Sequence, residues 1–540
     1  MKIITFLFTA ALLQTLIYAQ TFQWVSTVPL DIQTNPAFLH CPAVLDNNGS
    51  LVSARLINSK EIYSIAYYGD FLIEKTDSSG LLIWADSING KADVAEIIAD
   101  GENNIIGYGT FIDTLVIGNS ALIRTGQGTG SFIFKSDSDG NLIWLKDGAQ
   151  YITGFGVITA LEPDSLNNIL IGTSDYPVES KILKLDAEGN QTSIITETNI
   201  ATISDIKKDP AGNIWATGFA FNGPVSFNGH DTTAPFSYTE YVVKYNPAGI
   251  AERINFIQDV TVQQFQIETD DSGNAYLAGN LLDSTSFGEL HANGPQWIYD
   301  FFVTKIDPDG NFIWLNEIPQ GNPLGDAFVG NDNFLSCDAD GNTYLTGTFR
   351  GTINFGDSLV LTPLNYDDIF AVSYDRNGVI EWAKAAGSDL YDVGCSITPG
   401  EPGNYYLSGL TGQNFVFDTI SGTGEIYNLY LAKLKSESTV ITGNENTGER
   451  TRPYKFTLMQ NYPNPFNPST KIKYSVAASE FISLKVYDIL GKEIAVLVNE
   501  YKPAGNYEVN FYASKLSGGV YFYRLQSGTA VLAKKMIVLK

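Results

Sequence analysis

The chain has 540 residues, 44% of them apolar and only 17% charged, with 12% aromatics and 50 glycines. Charge well below the roughly 25% usual for soluble domains suits short strands joined by tight turns, and the composition excludes helical bundles and disorder. From Arg452 onward 12 Lys/Arg face 5 Asp/Glu, so the net charge of −26 splits into +7 for this tail and −33 for the body, which would repel nucleic acid and anionic lipid.

Residues 1–19 read as a secretory signal. Lys2 supplies the positive end, Ile3–Ile17 is an almost unbroken apolar run, and Ala19 is a small residue suited to cleavage before Gln20. A run of about 15 residues is too short to span a bilayer, and no other segment nears the about 18 a membrane helix needs. The mature chain is therefore expected to be exported and soluble, without a transmembrane segment.

A two-part repeat organises residues 20–438. Its first half is a turn leading into an alternating strand that ends in Gly. The clearest copies run Asp209–Phe219, Asp271–Asn280 and Asp338–Phe349. Weaker ones are Asp46–Arg55, Asp100–Phe111, Leu166–Ser174 and Glu401–Leu410. The second half has the form hydrophobic-x-Lys-x-Asp-x-x-Gly-x-x-x-Trp and places Trp84, Trp144, Trp314 and Trp382, while two copies carry Ser193 and Arg253 at the Trp position. Period-2 alternation predicts half-buried antiparallel strands, the D-x-x-G segments predict hairpin turns, and the repeated Trp is a plug between adjacent sheets. The last unit, through Asn428–Ser438, lacks its Trp strand. Thr21–Val28 near the mature N-terminus supplies one, with Trp24 at the Trp position. Units of this size predict an all-β propeller of seven four-stranded blades, the last closed by the N-terminal strand so that no sheet edge stays open.

Over about residues 21–438 these repeats resemble the bacterial seven-bladed β-propeller repeat family. That resemblance implies the fold and no particular reaction.

Residues 439–457 are polar, without apolar period, and read as a linker. In Asn461-Tyr462-Pro463-Asn464-Pro465-Phe466-Asn467-Pro468 the prolines fix a rigid extended lead-in. Six or seven short alternating strands follow in residues 458–540, the pattern of a small immunoglobulin-like β-sandwich. This lead-in, Val486-Tyr487-Asp488 with Gly491, Leu516-Ser517-Gly518-Gly519-Val520-Tyr521 and Lys534-Lys535-Met536 closely resemble the type A sorting domain of the type IX secretion system. The resemblance implies periplasmic export, passage through the outer membrane guided by this domain, contact with the secretion machinery, and release or attachment at the cell surface.

Catalytic and metal chemistry find little purchase. His40, His230 and His291 share no ligand-like spacing, and no nucleophile motif stands out. Acidic turns such as Asp137–Asn141, Asp307–Asn311 and Asp338–Asn342 resemble calcium loops but lack the closing bidentate Glu, so a turn role is expected for them, with no metal and no cofactor. Cys41 and Cys395 each precede a repeat Gly by eight residues (Gly49 and Gly403); buried thiols are expected in preference to a disulfide, and Cys337 has no counterpart. Two longer inter-unit loops, Phe221–Tyr241 and His291–Asp300, carry Asp231, Glu240, Trp297 and Asp300 without an assignable acid–base pair. The expected function is a non-catalytic binding or adhesion scaffold for an extracellular glycan or protein. The alternative is a secreted polysaccharide lyase or glycosidase with its site on one propeller face.

Overall fold

The computed structural model describes residues 17–539 apart from 31–38, 259–264, 295–299, 319–325, 440–456 and gaps of one to three residues. Two compact units separate, one spanning Ala19–Glu437 and the other containing Ser438–Lys540. Residues 1–16 of the expected signal and nearly all of the expected linker lie outside the described residues.

In the larger unit, strands pair antiparallel with their neighbours in sequence, four at a time. Val157–Pro163, Ile169–Asp175, Glu179–Leu185 and Gln191–Thr198 make one set. Ile200–Lys208, Ile214–Phe227, His230–Tyr245 and Ala251–Gln258 make the next. Some strands serve two sets: Leu82–Ala99 pairs with Ala66–Thr76 in its first half and with Ile105–Ile117 in its second. The crossover lies at Gly90, whose φ is 138° and where an added Cβ would stand 2.1 Å from the Thr114 carbonyl oxygen, so only glycine fits.

The first strand of each set lies against the first strand of the next. The sequence runs Ala43–Leu45, Leu82–Ala99, Val157–Pro163, Ile200–Lys208, Gln266–Thr269, Leu335–Cys337 and Val393–Pro399, which returns to Ala43–Leu45. This circuit is the signature of an all-β propeller.

The repeat motif explains how the sets hold together. In the turns, the Asp carboxylate accepts from the backbone N–H two and four residues on, as Asp137 does from Asp139 (3.0 Å) and Asn141 (2.8 Å). The motif Lys reaches the other turn of its own set: Lys75 to Asp46 at 2.7 Å, Lys135 to Asp100 at 2.8 Å and Lys184 to Asp164 at 2.9 Å. Each such carboxylate is thus engaged by backbone donors and an ammonium. The motif Trp reaches forward to the turn of the following set. Trp84 donates to the Ser138 carbonyl (3.0 Å), Trp144 to Ala187 (2.9 Å) and Trp314 to Arg376 (3.2 Å). Arg253, standing in a Trp position, does the same with its guanidinium, donating to the Asp309 carbonyl at 2.7 Å. Trp382 instead packs against Tyr344 and Tyr405 and is 2% exposed.

One expectation changes. Strands expected to be half-buried are buried on both faces: every residue of Gly130–Ser136, Ala275–Leu281 and Asp367–Tyr374 is buried. Neighbouring sheets cover both faces, and on the similarly buried strand Thr343–Arg350 the Thr346 hydroxyl is satisfied internally, on the Phe370 carbonyl at 2.7 Å. The polar half of the alternation marks internal hydrogen bonding, not solvent.

The strand Ile17–Leu30 is the edge partner of Ile420–Thr439 in the sheet that ends the larger unit. Ala19 and Gln20 therefore lie on this strand. The Phe22 N–H donates to Asp418 at 2.9 Å, Lys384 donates to the Gln20 carbonyl at 2.9 Å, and the Phe22 ring meets Phe417 edge-on at 4.9 Å. Trp24 then donates to the Ser78 carbonyl (3.3 Å), joining the last sheet to the first. Cys41, Val393, Cys395, Leu410 and Leu429 share one buried cluster across the same seam. Cys41 and Cys395 are free, buried thiols, and burial pushes the Cys41 thiol up to about 12.

The smaller unit is a two-sheet sandwich. Thr457–Leu458, Ser469–Val476 and Gly505–Tyr512 form one sheet, and Glu493–Lys502, Glu480–Tyr487, Gly519–Ser527 and Ala530–Val538 form the other. Ile472, Tyr474, Leu484, Val486, Tyr523 and Met536 belong to its core.

Candidate functional site

In the smaller unit, the Pro/Asn-rich lead-in is held by its asparagines. Asn461 is 1% exposed; its N–H donates to the Tyr523 hydroxyl at 2.8 Å and its carboxamide donates to Thr470 Oγ1 at 3.0 Å. Asn464 accepts from the Ile537 N–H at 2.8 Å. The Phe466 N–H donates to the Ile537 carbonyl at 3.0 Å, with its ring in the core. Pro463, Pro465 and Pro468 stay exposed, their rigid φ shaping the lead-in, while Asn464 fastens it to the final strand and Asn461 to Tyr523 and Thr470. Gly518 and Gly519 form the exposed start of strand Gly519–Ser527, and Gly491 lies outside the described residues.

Residues 460–539 match the family described as the secretion system C-terminal sorting domain. These residues are a C-terminal sorting domain. Such a domain implies export by type IX secretion and contact with its machinery, and hence a secreted or cell-surface protein. No helix among the described residues is long and apolar enough to cross a membrane.

Other likenesses cover larger shares of the chain. It is 21% identical over 406 residues to an uncharacterized WD repeat-containing protein of Acanthamoeba polyphaga mimivirus, covering 58% of this chain and 29% of that protein. The chain thus spans under a third of the length of this curated relative. A protein of unknown function from Bacteroides caccae is similar at 12% identity, covering 62% of this chain and 93% of that one, with a TM-score of 0.34. PorZ of Porphyromonas gingivalis, a surface component of its type IX secretion system, is similar at 10% identity over 92% of this chain and 74% of its own, with a TM-score of 0.29.

Within the propeller two places gather chemistry. The first lies on the ring of first strands. His40 Nδ1 is 2.5 Å from Asp332 Oδ1 and its Nε2 is 3.9 Å from Asp93 Oδ2. Farther round, Lys207 stands 3.4 Å from Glu268 and 3.9 Å from Glu162, while Glu96 accepts from the Leu161 N–H at 3.1 Å and Asp205 from the Ile267 N–H at 2.9 Å. Burial pushes Glu96 and Glu162 up to about 8 and Glu268 up to about 7, against the pull of Lys207. Burial alone would depress His40, but Asp93 and Asp332 outweigh it and raise the imidazole to about 9. Every one of these groups has a partner on the ring, so the arrangement fastens first strands to one another. Among the described residues, no group of three or more His, Cys, Asp or Glu side chains is placed to hold a metal ion.

This belt sets a pH dependence. Carboxyls raised in the fold bind protons that the unfolded chain has already released, so their contribution is greatest near their ordinary range and is lost as pH rises through the raised values. A raised imidazole acts in the same direction, favouring the fold below its ordinary value of 6.5 and losing that contribution as pH climbs through about 9. The turn carboxylates act oppositely and at lower pH. Asp100 and Asp137 are held below the usual carboxylate range despite burial, by Lys135 and Asn104 in the first case and by Asn141 in the second. The melting temperature is therefore expected to fall steadily between about pH 5.5 and about pH 9, and Glu162→Gln should flatten that slope. A calorimetric melting temperature that stays level or rises across this window would contradict the assignment.

The second place is a groove of about 370 Å³ lined by Phe236, Gln258, Ser284, Thr285, Ser286, His291, Ala292 and Asn293. One wall is Phe236, midway along strand His230–Tyr245, with Gln258 at the end of Ala251–Gln258; the other is the hairpin Ser284–Phe287 with Leu290–Asn293. The hairpin is anchored by Phe287, which is fully buried, and by the Thr285 hydroxyl donating to the Gln258 carbonyl at 2.9 Å. Ser286 Oγ lies 2.8 Å from His291 Nδ1, which orients the imidazole.

Much of the segment expected as a loop, Phe221–Tyr241, is in fact strand. Val225–Phe227 pairs with His230–Thr232 around a tight turn at Asn228 and Gly229. The β-branched and aromatic residues outweigh the loop reading there. Asp231 and His230 are exposed on this hairpin. Glu240 and Asp300 are 2% exposed, Asp300 accepting from the Ile318 N–H at 3.0 Å, so neither reaches a surface site. Trp297 lies outside the described residues.

Proposed function

We propose that the exported chain is a non-catalytic binding scaffold, released from the cell or held on its outer surface, with a closed seven-bladed propeller as the working part and the sorting domain as the means of delivery. The carrying observation is where the ionisable groups find their partners. The ionisable groups gathered on the inner ring are bonded to one another or to backbone, whereas the described residues that line the open groove are uncharged side chains and one histidine. Glycoside hydrolysis needs two carboxyl groups flanking one open site. A concave surface with a few convergent polar groups on rigid strands is suited to binding.

The test is a hydrolysis and elimination screen of the purified chain against pooled glycans and plant polymers. No turnover is expected. Turnover abolished by a single carboxylate substitution, such as Asp93→Asn or Glu162→Gln, would overturn the scaffold reading in favour of a carbohydrate-active enzyme.

A further inference from the structure

We propose that the groove beside Phe236 and His291 binds a neutral, hydroxyl-rich glycan chain, which continues onto an aromatic platform formed by Phe221 and Tyr238. This rests on the scaffold reading and names its ligand class.

Three observations carry it. First, the lining is chemically matched to hydroxyl groups. Ser284, Ser286, Gln258 and Asn293 supply hydroxyls and carboxamides, groups that both donate and accept, as sugar hydroxyls do. Among the described residues, the eight that line the groove include no carboxylate or ammonium, so none of them selects a charged ligand.

Second, aromatic surface lies open next to it. Phe221 is 44% and Tyr238 49% exposed. Both rest on Phe219, only 8% exposed: the Tyr238 ring stacks on it at 5.9 Å and 26°, and Phe221 meets it edge-on at 4.9 Å. The rings are therefore held in place before any ligand arrives. An aromatic face carries negative charge density that attracts the slightly positive C–H face of a sugar ring, and the two bury apolar area together. Tyr238 is two residues from Phe236, and this stretch of the strand is fixed by Thr239, whose hydroxyl bonds both the N–H and the carbonyl of Phe236. Groove and platform therefore share one wall.

Third, the size fits. About 370 Å³ lies at the lower end of the roughly 300–1,000 Å³ of ligand clefts, large enough for sugar units and too narrow for the broad face of a folded partner. The acidic body disfavours an anionic membrane surface or an anionic polymer.

Affinity electrophoresis of the mature, full-length chain tests this, using gels containing a neutral polysaccharide (laminarin, xyloglucan, galactomannan or mannan) or an anionic one (alginate or polygalacturonate). At least one neutral polymer is expected to retard the protein. Tyr238→Ala and Phe221→Ala, both at exposed positions, should weaken that association by about tenfold, and His291→Ala by a smaller factor, with melting temperatures unchanged. Retardation by neutral polymer that persists in both aromatic variants would overturn this site while leaving the scaffold reading intact. Retardation by the anionic polymers alone would overturn the ligand class, and none from any polymer would overturn the glycan proposal. Failure of the scaffold reading itself would appear separately, as turnover in the hydrolysis screen.

Discussion

Deletion of Thr21–Val28 is expected to lower the melting temperature of the propeller by at least about 10 °C and to make the protein prone to self-association. The deleted residues form the fourth strand of the last sheet, beside Ile420–Thr439. Without them the edge of that strand is left open, and an unpaired edge is a template for another chain. Phe22 is 6% exposed and packs on Phe417, so its loss alone removes a buried aromatic worth about 3 kcal/mol or more. Loss of Trp24 further removes the hydrogen bond to Ser78 that ties the last sheet to the first. Phe22→Ala, which leaves the backbone pairing in place, should produce a smaller fall of the same sign, whereas Gln23→Ala, at an exposed position, should be close to neutral. A deletion variant that melts with the parent would mean that the ring does not depend on the N-terminal strand.

The repeat was legible because each of its residues has a local task. Asp and Gly specify the turn wherever they occur, and a Trp recurring at one position announces a shared packing partner before that partner is known. Its partner, the turn of the following sheet, lies over 50 residues away for Trp84 and could be found only in three dimensions. The same limit hid Arg253, which replaces Trp in sequence and yet makes the Trp's bond to the next turn. It also hid the ionisable belt. Glu96, Glu162, Lys207 and Glu268 come from four separate first strands, each inconspicuous in its own repeat. The groove is half legible: the segments Phe221–Tyr241 and His291–Asp300 stand out in the sequence, but through their carboxylates. Glu240 and Asp300 point into buried surroundings, and the useful chemistry belongs to neighbouring serines, carboxamides and aromatic rings. The sorting domain was the most legible part, since Asn461, Asn464 and Phe466 each have a fixed bonding or packing duty within nine residues of sequence or at the final strand.

Delivery is the claim on which any extracellular role depends. A chain ending at Thr439 keeps the whole of strand Ile420–Thr439 and every propeller sheet, and lacks only the segment that carries the sorting domain. Cell fractionation of the native host expressing this truncated chain beside the full-length protein is the decisive measurement. The full-length protein should appear in the medium or at the outer surface, and the truncated one should accumulate, folded, in the periplasm. Equal appearance of both outside the cell would contradict the account.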